Sequence, residues 1–160
     1  MKEIVRQIFE NDRYKLSEVE STARGIYGIF DKGKLVYIGV ANGSGGFRKR
    51  IKNQHASGNS CVSSFCNYLR SEKGITISTE EVKEFIEIDA PVKLEELKVQ
   101  LYLEENVECS IVEVDENIKG VENYLLTEYF PSTNYKLWNF ATRRSNKLTL
   151  KEYKKRLNIS

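Results

Sequence analysis

Two β-branched, aromatic runs separated by two residues constrain this chain more than any other feature. GIYGIFD at 25–31 and KLVYIGVA at 34–41 flank Lys32-Gly33, and such runs around a tight turn form a β-hairpin. Strand side chains alternate, so the register of that hairpin decides which residues share a face. A strict two-residue loop pairs Asp31 with Lys34 and leaves Tyr27 and Tyr37 on opposite sides. A three-residue loop or a single bulge returns them to one side, with Gly33 suited to the left-handed residue of such a bulge. The expectation is this odd register.

The rest of the chain builds outward from the hairpin. Ile4, Val5 and Ile8 recur at helical spacing and predict a short leading helix over 2–10. NGSGG at 42–46 leads into a helix around 47–56 with Phe47 and Ile51 inward. A further helix over 61–72 is predicted from Val62, Phe65 and Leu69. Residues 79–105 read as two acidic amphipathic helices broken near Asp89-Ala90-Pro91. VECSIVEVD at 107–115 reads as a third strand. Asn117 is placed to cap a helix over 118–130 that stops before Pro131, and the tail at 149–157 reads as a short basic helix. With no repeat and no Pro- or Ser-rich linker, the chain is expected to be one small α/β (α+β) domain over 1–160. Its short mixed or antiparallel sheet has three strands flanked by helices. Residues 1–23 form an N-terminal extension, 56–105 a helical insertion and 140–160 a basic tail.

Composition excludes several classes. The three cysteines (Cys61, Cys66 and Cys109) and the lone histidine, His55, lack the spacings of a zinc site or a disulfide framework. Reduced, mostly buried thiols are expected, and any metal must be held by oxygen. No apolar run is long enough to cross a bilayer, and MKEIVRQIFEND has no signal-peptide core; a cytoplasmic protein is expected. Net charge is only +2, yet residues 80–122 carry fourteen Asp/Glu against four Lys, while 136–156 carry eight Lys/Arg against one Glu. Arg48, Lys49, Arg50 and Lys52 form a second basic cluster. Such asymmetry suits a protein that turns one face to a polyanion.

Gly25-Ile26-Tyr27 and Tyr37-Ile38-Gly39, in this order on consecutive strands, resemble the GIY-YIG nuclease family. The resemblance continues in Phe47-Arg48-Lys49-Arg50-Ile51, where the family carries a functional arginine. It resumes at Glu122, Leu125-Leu126, Pro131 and Asn134, and covers 25–55 and 121–134. It implies a Mg²⁺-dependent DNA endonuclease, with Mn²⁺ as a substitute. The compact chain looks most like the stand-alone restriction or phage-type members, acting site-specifically on duplex DNA as a dimer or a transient pair. The alternatives are a structure- or single-strand-specific nuclease and a non-catalytic DNA-binding module of the same fold.

The residues suit that chemistry. Phosphodiester hydrolysis needs a positioned water, a proton acceptor and positive charge on the transition state. Glu122, in the first turn of its helix beside an apolar face, is the expected metal ligand. By resemblance Tyr27 activates water and Tyr37 orients water or phosphate. Tyr27 would need nearby cations to ionise, from metal, arginine and His55. Arg50 is the expected transition-state stabiliser; Arg48 is its rival, since Arg48, Lys52 and His55 fall at i, i+4 and i+7. Many family members place histidine four residues after the arginine, whereas His55 follows Arg50 by five. Its role stays open between proton relay, phosphate contact and surface residue. Asn134 is assigned to the turn, the site backbone or phosphate. Arg48, Lys49, Lys52, Arg143, Arg144 and Lys147 are the expected DNA contacts.

Overall fold

The continuous apolar character of residues 25–31 makes them a strand buried on both faces. In the computed structural model, which describes residues 1–60, 62–78, 80, 81, 83, 91–140 and 155, that strand is central. The sheet is antiparallel and has four strands rather than three. These are β1 (Tyr14–Lys15), β2 (Gly25–Asp31), β3 (Lys34–Ala41) and β4 (Val107–Glu113), in the order β1-β4-β2-β3. The added strand β1 pairs Tyr14 with Cys109 and Lys15 with Glu108; two residues are too short to carry an alternating pattern.

The hairpin keeps its two-residue loop, with Asp31 paired to Lys34 and both Lys32 (φ 50°) and Gly33 (φ 81°) left-handed, as a type I′ turn requires. The parity change comes later. Phe30 pairs with Leu35 but Ile29 with Tyr37, so Val36 is the extra residue of a bulge. Gly33 therefore serves the turn, and Val36 supplies the bulge. Tyr27 and Tyr37 lie on one face, as the odd register demands, with ring centroids 6.4 Å apart.

Each face of the sheet is covered. On one, Tyr27, Ile29 and Tyr37 pack with Phe47, Ile51, Phe65, Leu69, Val99 and Leu103. On the other, Ile26, Phe30 and Ile38 pack with Val5, Ile8, Ile118, Val121, Leu125 and Phe130. The second face is covered by α1 (Lys2–Glu10) and by the helix beginning at Ile118. The first receives α2 (Ser64–Lys73), α3 (Pro91–Asn106) and a wide, π-helical stretch, Arg48–Gln54. Val62, expected inside α2, precedes it and is exposed.

The helix predicted over 118–130 divides into α4 (Ile118–Tyr124), a second π-helical stretch (Leu125–Tyr129) and a 3₁₀ turn holding Pro131. Asn117 takes the cap position at φ 52° without a side-chain hydrogen bond. Of the two acidic helices expected over 79–105, the second is α3; the first falls largely outside the described residues, as does the basic tail helix. Cys66 and Cys109 are buried free thiols, while Cys61 is outside the described set. Among the described residues no helix is long and apolar enough to cross a membrane.

Candidate active site

Both motif glycines are dictated by close approach. Gly39 sits directly across from Tyr27, and a Cβ there would overlap the phenol ring carbon and oxygen. A Cβ on Gly25 would overlap the Val112 carbonyl oxygen of β4. The hairpin thus leaves a trough in which the Tyr27 ring lies across β3.

Beside that trough is an open cleft of about 540 Å³ whose lining includes Tyr37, Gly39, Lys49, Arg50, Gln54, Lys119 and Glu122. The expected guanidinium, carboxylate and one phenol therefore meet in one space. Tyr27 is fully buried, its oxygen just beneath Gly39 in the cleft wall. Burial, and then the neighbouring Tyr37, push the Tyr27 phenol well above its ordinary value, against the downward pull of the Arg50 charge. Burial likewise raises Tyr37, again opposed by Arg50. Both tyrosines are protonated at neutral pH; Arg50 alone does not make a resting phenolate.

Arg50 is the arginine of the cleft. Its Nη1 donates to Gln54 Oε1 at 2.6 Å, and its charge acts on both phenols. Arg48 instead pairs with Glu20, Nε to Oε2 at 3.2 Å, and Lys52 bonds the same carboxylate. Of the expected DNA contacts in this cluster only Lys49 faces the cleft. Arg143, Arg144 and Lys147 lie outside the described residues.

His55 is neither a surface residue nor a phosphate contact: it is fully buried, boxed by the rings of Tyr27, Tyr37 and Phe65. Its Nε2 lies 2.6 Å from the Tyr27 hydroxyl and its Nδ1 2.6 Å from Ser63 Oγ. Burial, reinforced by the Arg50 charge, pushes the imidazole down to about 3. It is neutral, so the expectation that it supplies positive charge to Tyr27 fails. The five-residue spacing from Arg50 also has a structural counterpart. The wide turn of 48–54 carries a bond from the His55 N–H to the Arg50 carbonyl, the i→i+5 pattern of a π-helix.

Asn134 is exposed and is not among the residues that line the cleft. Asn139, which the sequence pattern did not single out, does the backbone work. Its Oδ1 accepts from the Ile38 N–H at 3.0 Å and its Nδ2 donates to the Ile38 carbonyl at 2.8 Å. One side chain thereby caps the free edge of β3 in the middle of the Tyr37-Ile38-Gly39 triplet. Ser63 and Gln54 were likewise missed; a serine or glutamine carries no distinguishing pattern until its partner is known.

Glu122 is the cleft carboxylate, and it stands in the second turn of α4 rather than the first. Lys119 Nζ stands 3.6 Å from its Oε2, and its charge reaches both phenols. Among the described residues no three His, Cys, Asp or Glu side chains cluster. One carboxylate facing an open cleft fits Mg²⁺ or Mn²⁺, which keep water ligands and complete their shell with phosphate oxygens. Comparison with protein-family models, curated proteins and solved structures found no match for this chain.

Proposed function

We propose that this protein is a divalent-metal-dependent DNA endonuclease of the GIY-YIG type. The observation that carries the reading is the shared cleft: Tyr37, Arg50 and Glu122 line one space, with the Tyr27 oxygen beneath its Gly39 wall. A positive fork, a hydroxyl and a metal-binding carboxylate facing one phosphate-sized cleft are what in-line attack on a phosphodiester requires.

Glu122 would hold Mg²⁺ or Mn²⁺, which when bound supplies Lewis-acid stabilisation of charge on the phosphate. Arg50 offers paired N–H donors to the non-bridging oxygens. Tyr37 borders the cleft and donates to the water or the phosphate. Tyr27 donates its own proton to His55 Nε2, which leaves its oxygen lone pairs to receive the hydrogen of the attacking water. As the water oxygen bonds to phosphorus, its proton passes to Tyr27 while the phenol proton is shared with Nε2; the imidazole, disfavoured as a cation by burial and by Arg50, returns that proton through Tyr27 to the solvent of the cleft. The bond to the leaving oxygen breaks, and that oxygen is protonated from solvent in the cleft. Burial forbids a resting phenolate; a proton handed on through Tyr27 does not need one.

Site-specific, restriction-type cutting of duplex DNA by a dimer or transient pair is the form of activity this reading favours. Plasmid cleavage with Mg²⁺ or Mn²⁺ tests it, comparing wild type with Glu122→Ala. Metal-dependent nicking or linearisation by the wild type, lost in Glu122→Ala while DNA binding persists, is the expected result. Wild-type protein that binds DNA and cuts with neither metal overturns it.

A further inference from the structure

The side of His55 that points away from Tyr27 meets a single hydroxyl. Ser63 is almost fully buried and caps the N-terminus of α2, where its Oγ accepts the Cys66 backbone N–H at 3.1 Å. The same oxygen stands 2.6 Å from His55 Nδ1. We propose that Ser63 is a positioning residue that holds His55 in the tautomer with hydrogen on Nδ1, leaving the Nε2 lone pair for Tyr27.

A buried phenol must find an acceptor for its proton. Among the described residues the acceptor placed against the Tyr27 hydroxyl is His55 Nε2. A neutral imidazole carries one hydrogen, so a lone pair on Nε2 places that hydrogen on Nδ1, aimed at Ser63 Oγ. Ser63 then accepts twice, from Nδ1–H and from the Cys66 amide, and its own hydroxyl hydrogen turns to the neighbouring Cys66 Sγ, so neither buried hydroxyl is left without an acceptor. The opposite tautomer would have Ser63 donate to Nδ1 and Nε2–H donate to Tyr27, stranding the buried phenol proton. The partner of one ring nitrogen sets the chemistry of the other.

The surroundings hold this geometry. The His55 carbonyl accepts from Cys66 Sγ at 3.2 Å and from the Gly58 amide at 3.3 Å, so one carbonyl is held both within its own 3₁₀ turn and by the helix that Ser63 caps. Serine thereby joins a Tyr27–His55–Ser63 line in which each polar atom has a defined sense of donation. Its effect on cleavage rests on the nuclease reading above; the tautomer itself does not.

His55 is the only histidine in the chain, so ¹⁵N-histidine labelling yields one pair of ring resonances. Wild type is expected to show a protonated-type shift at Nδ1 and an unprotonated-type shift at Nε2. Ser63→Thr should keep that pattern. Ser63→Gly removes the hydroxyl while remaining a tolerable helix cap, and it should move both resonances towards a tautomer mixture; Ser63→Ala is the companion variant. With an active enzyme, Ser63→Gly should lower kcat about 10-fold or more at little changed KM, with recovery in Ser63→Thr. Hydrogen on Nε2 in wild type, or unmoved resonances in folded Ser63→Gly, overturns the proposal. An inactive wild type with the expected resonances defeats the nuclease reading and leaves the tautomer assignment standing.

Discussion

Tyr27 and Gly39 face each other across the hairpin, and the phenol of one fills the space that a side chain on the other would occupy. The last residue of the second motif triplet is thus a steric partner of the last residue of the first. Gly39→Ala is expected to displace the ring, cost about 1–3 kcal/mol as an overpacked core position and break the Tyr27–His55 bond. Urea denaturation measures the first effect and the histidine ring resonances the second. Unchanged stability would mean the trough is not needed.

Burial of neutral His55 links stability to pH. Its folded value is pushed down to about 3 from an ordinary 6.5, so on acidification the unfolded chain takes up a proton that the folded chain refuses. Stability is fully present above about pH 6.5 and is lost as pH falls from there towards 3. Between pH 7 and 5, above the ordinary carboxylate range, wild type should lose about 2 kcal/mol more than His55→Phe. Denaturant titrations of both at the two pH values check this; equal losses refute it.

Arg70 of α2 and Glu95 of α3 form an ion pair with both side chains about 95% covered, and Arg70 Nη1 also donates to Ser60 Oγ at 3.1 Å. Removing the carboxylate takes the countercharge from a buried guanidinium, so Glu95→Ala should cost about 3–5 kcal/mol. The double variant Arg70→Met/Glu95→Leu should recover most of that loss. A double variant as unstable as the single would show that shape, rather than charge, joins the two helices.

Asn139→Ala should cost about 1–3 kcal/mol, because it leaves the Ile38 N–H and carbonyl without their side-chain partner. Asn139→Asp keeps one acceptor and loses the donor, and should fall between. Amide hydrogen exchange at Ile38 is the direct readout: faster exchange is expected in Asn139→Ala, and an unaltered rate would remove Asn139 from the account of the edge.

Glu20 occupies both Arg48 and Lys52. If DNA approaches the cleft beside them, Glu20→Gln releases two cations for phosphate. Binding to duplex DNA should then tighten at low salt, and the slope of log affinity against log salt should steepen by up to about 2. Lys49→Ala should flatten it by about 1. Fluorescence anisotropy across a salt series gives both slopes, and an unchanged slope in Glu20→Gln would place the DNA elsewhere.

What could be read from sequence divides along a physical line. Periodicity and turn chemistry are local, so the hairpin, β4 and the helices around Phe65 and Val121 were legible. The parity of the hairpin was legible as a requirement, since two tyrosines had to share a face, but Val36 as the bulged residue was not; nothing in its side chain marks it. Choosing Arg50 over Arg48 needed Glu20, thirty residues away and unremarkable in sequence. The regular register that favoured Arg48 assumed an α-helix where the chain is wider. Asn134 stood out by its place after Pro131, whereas Asn139 emerges only from its hydrogen bonds to Ile38. His55 was visible as a candidate, but its charge depended on burial by rings from three separate elements.

The loosened coil between Arg50 and His55 carries a consequence for how sites of this shape tolerate change. An ordinary α-helix turns about 100° per residue, so one residue more or less would swing the imidazole away from Tyr27. Opening the helix by one residue per turn takes up that excess locally. Counting along a polypeptide therefore mismeasures distance at such a place, and insertion or deletion can be absorbed where two working groups must stay in step.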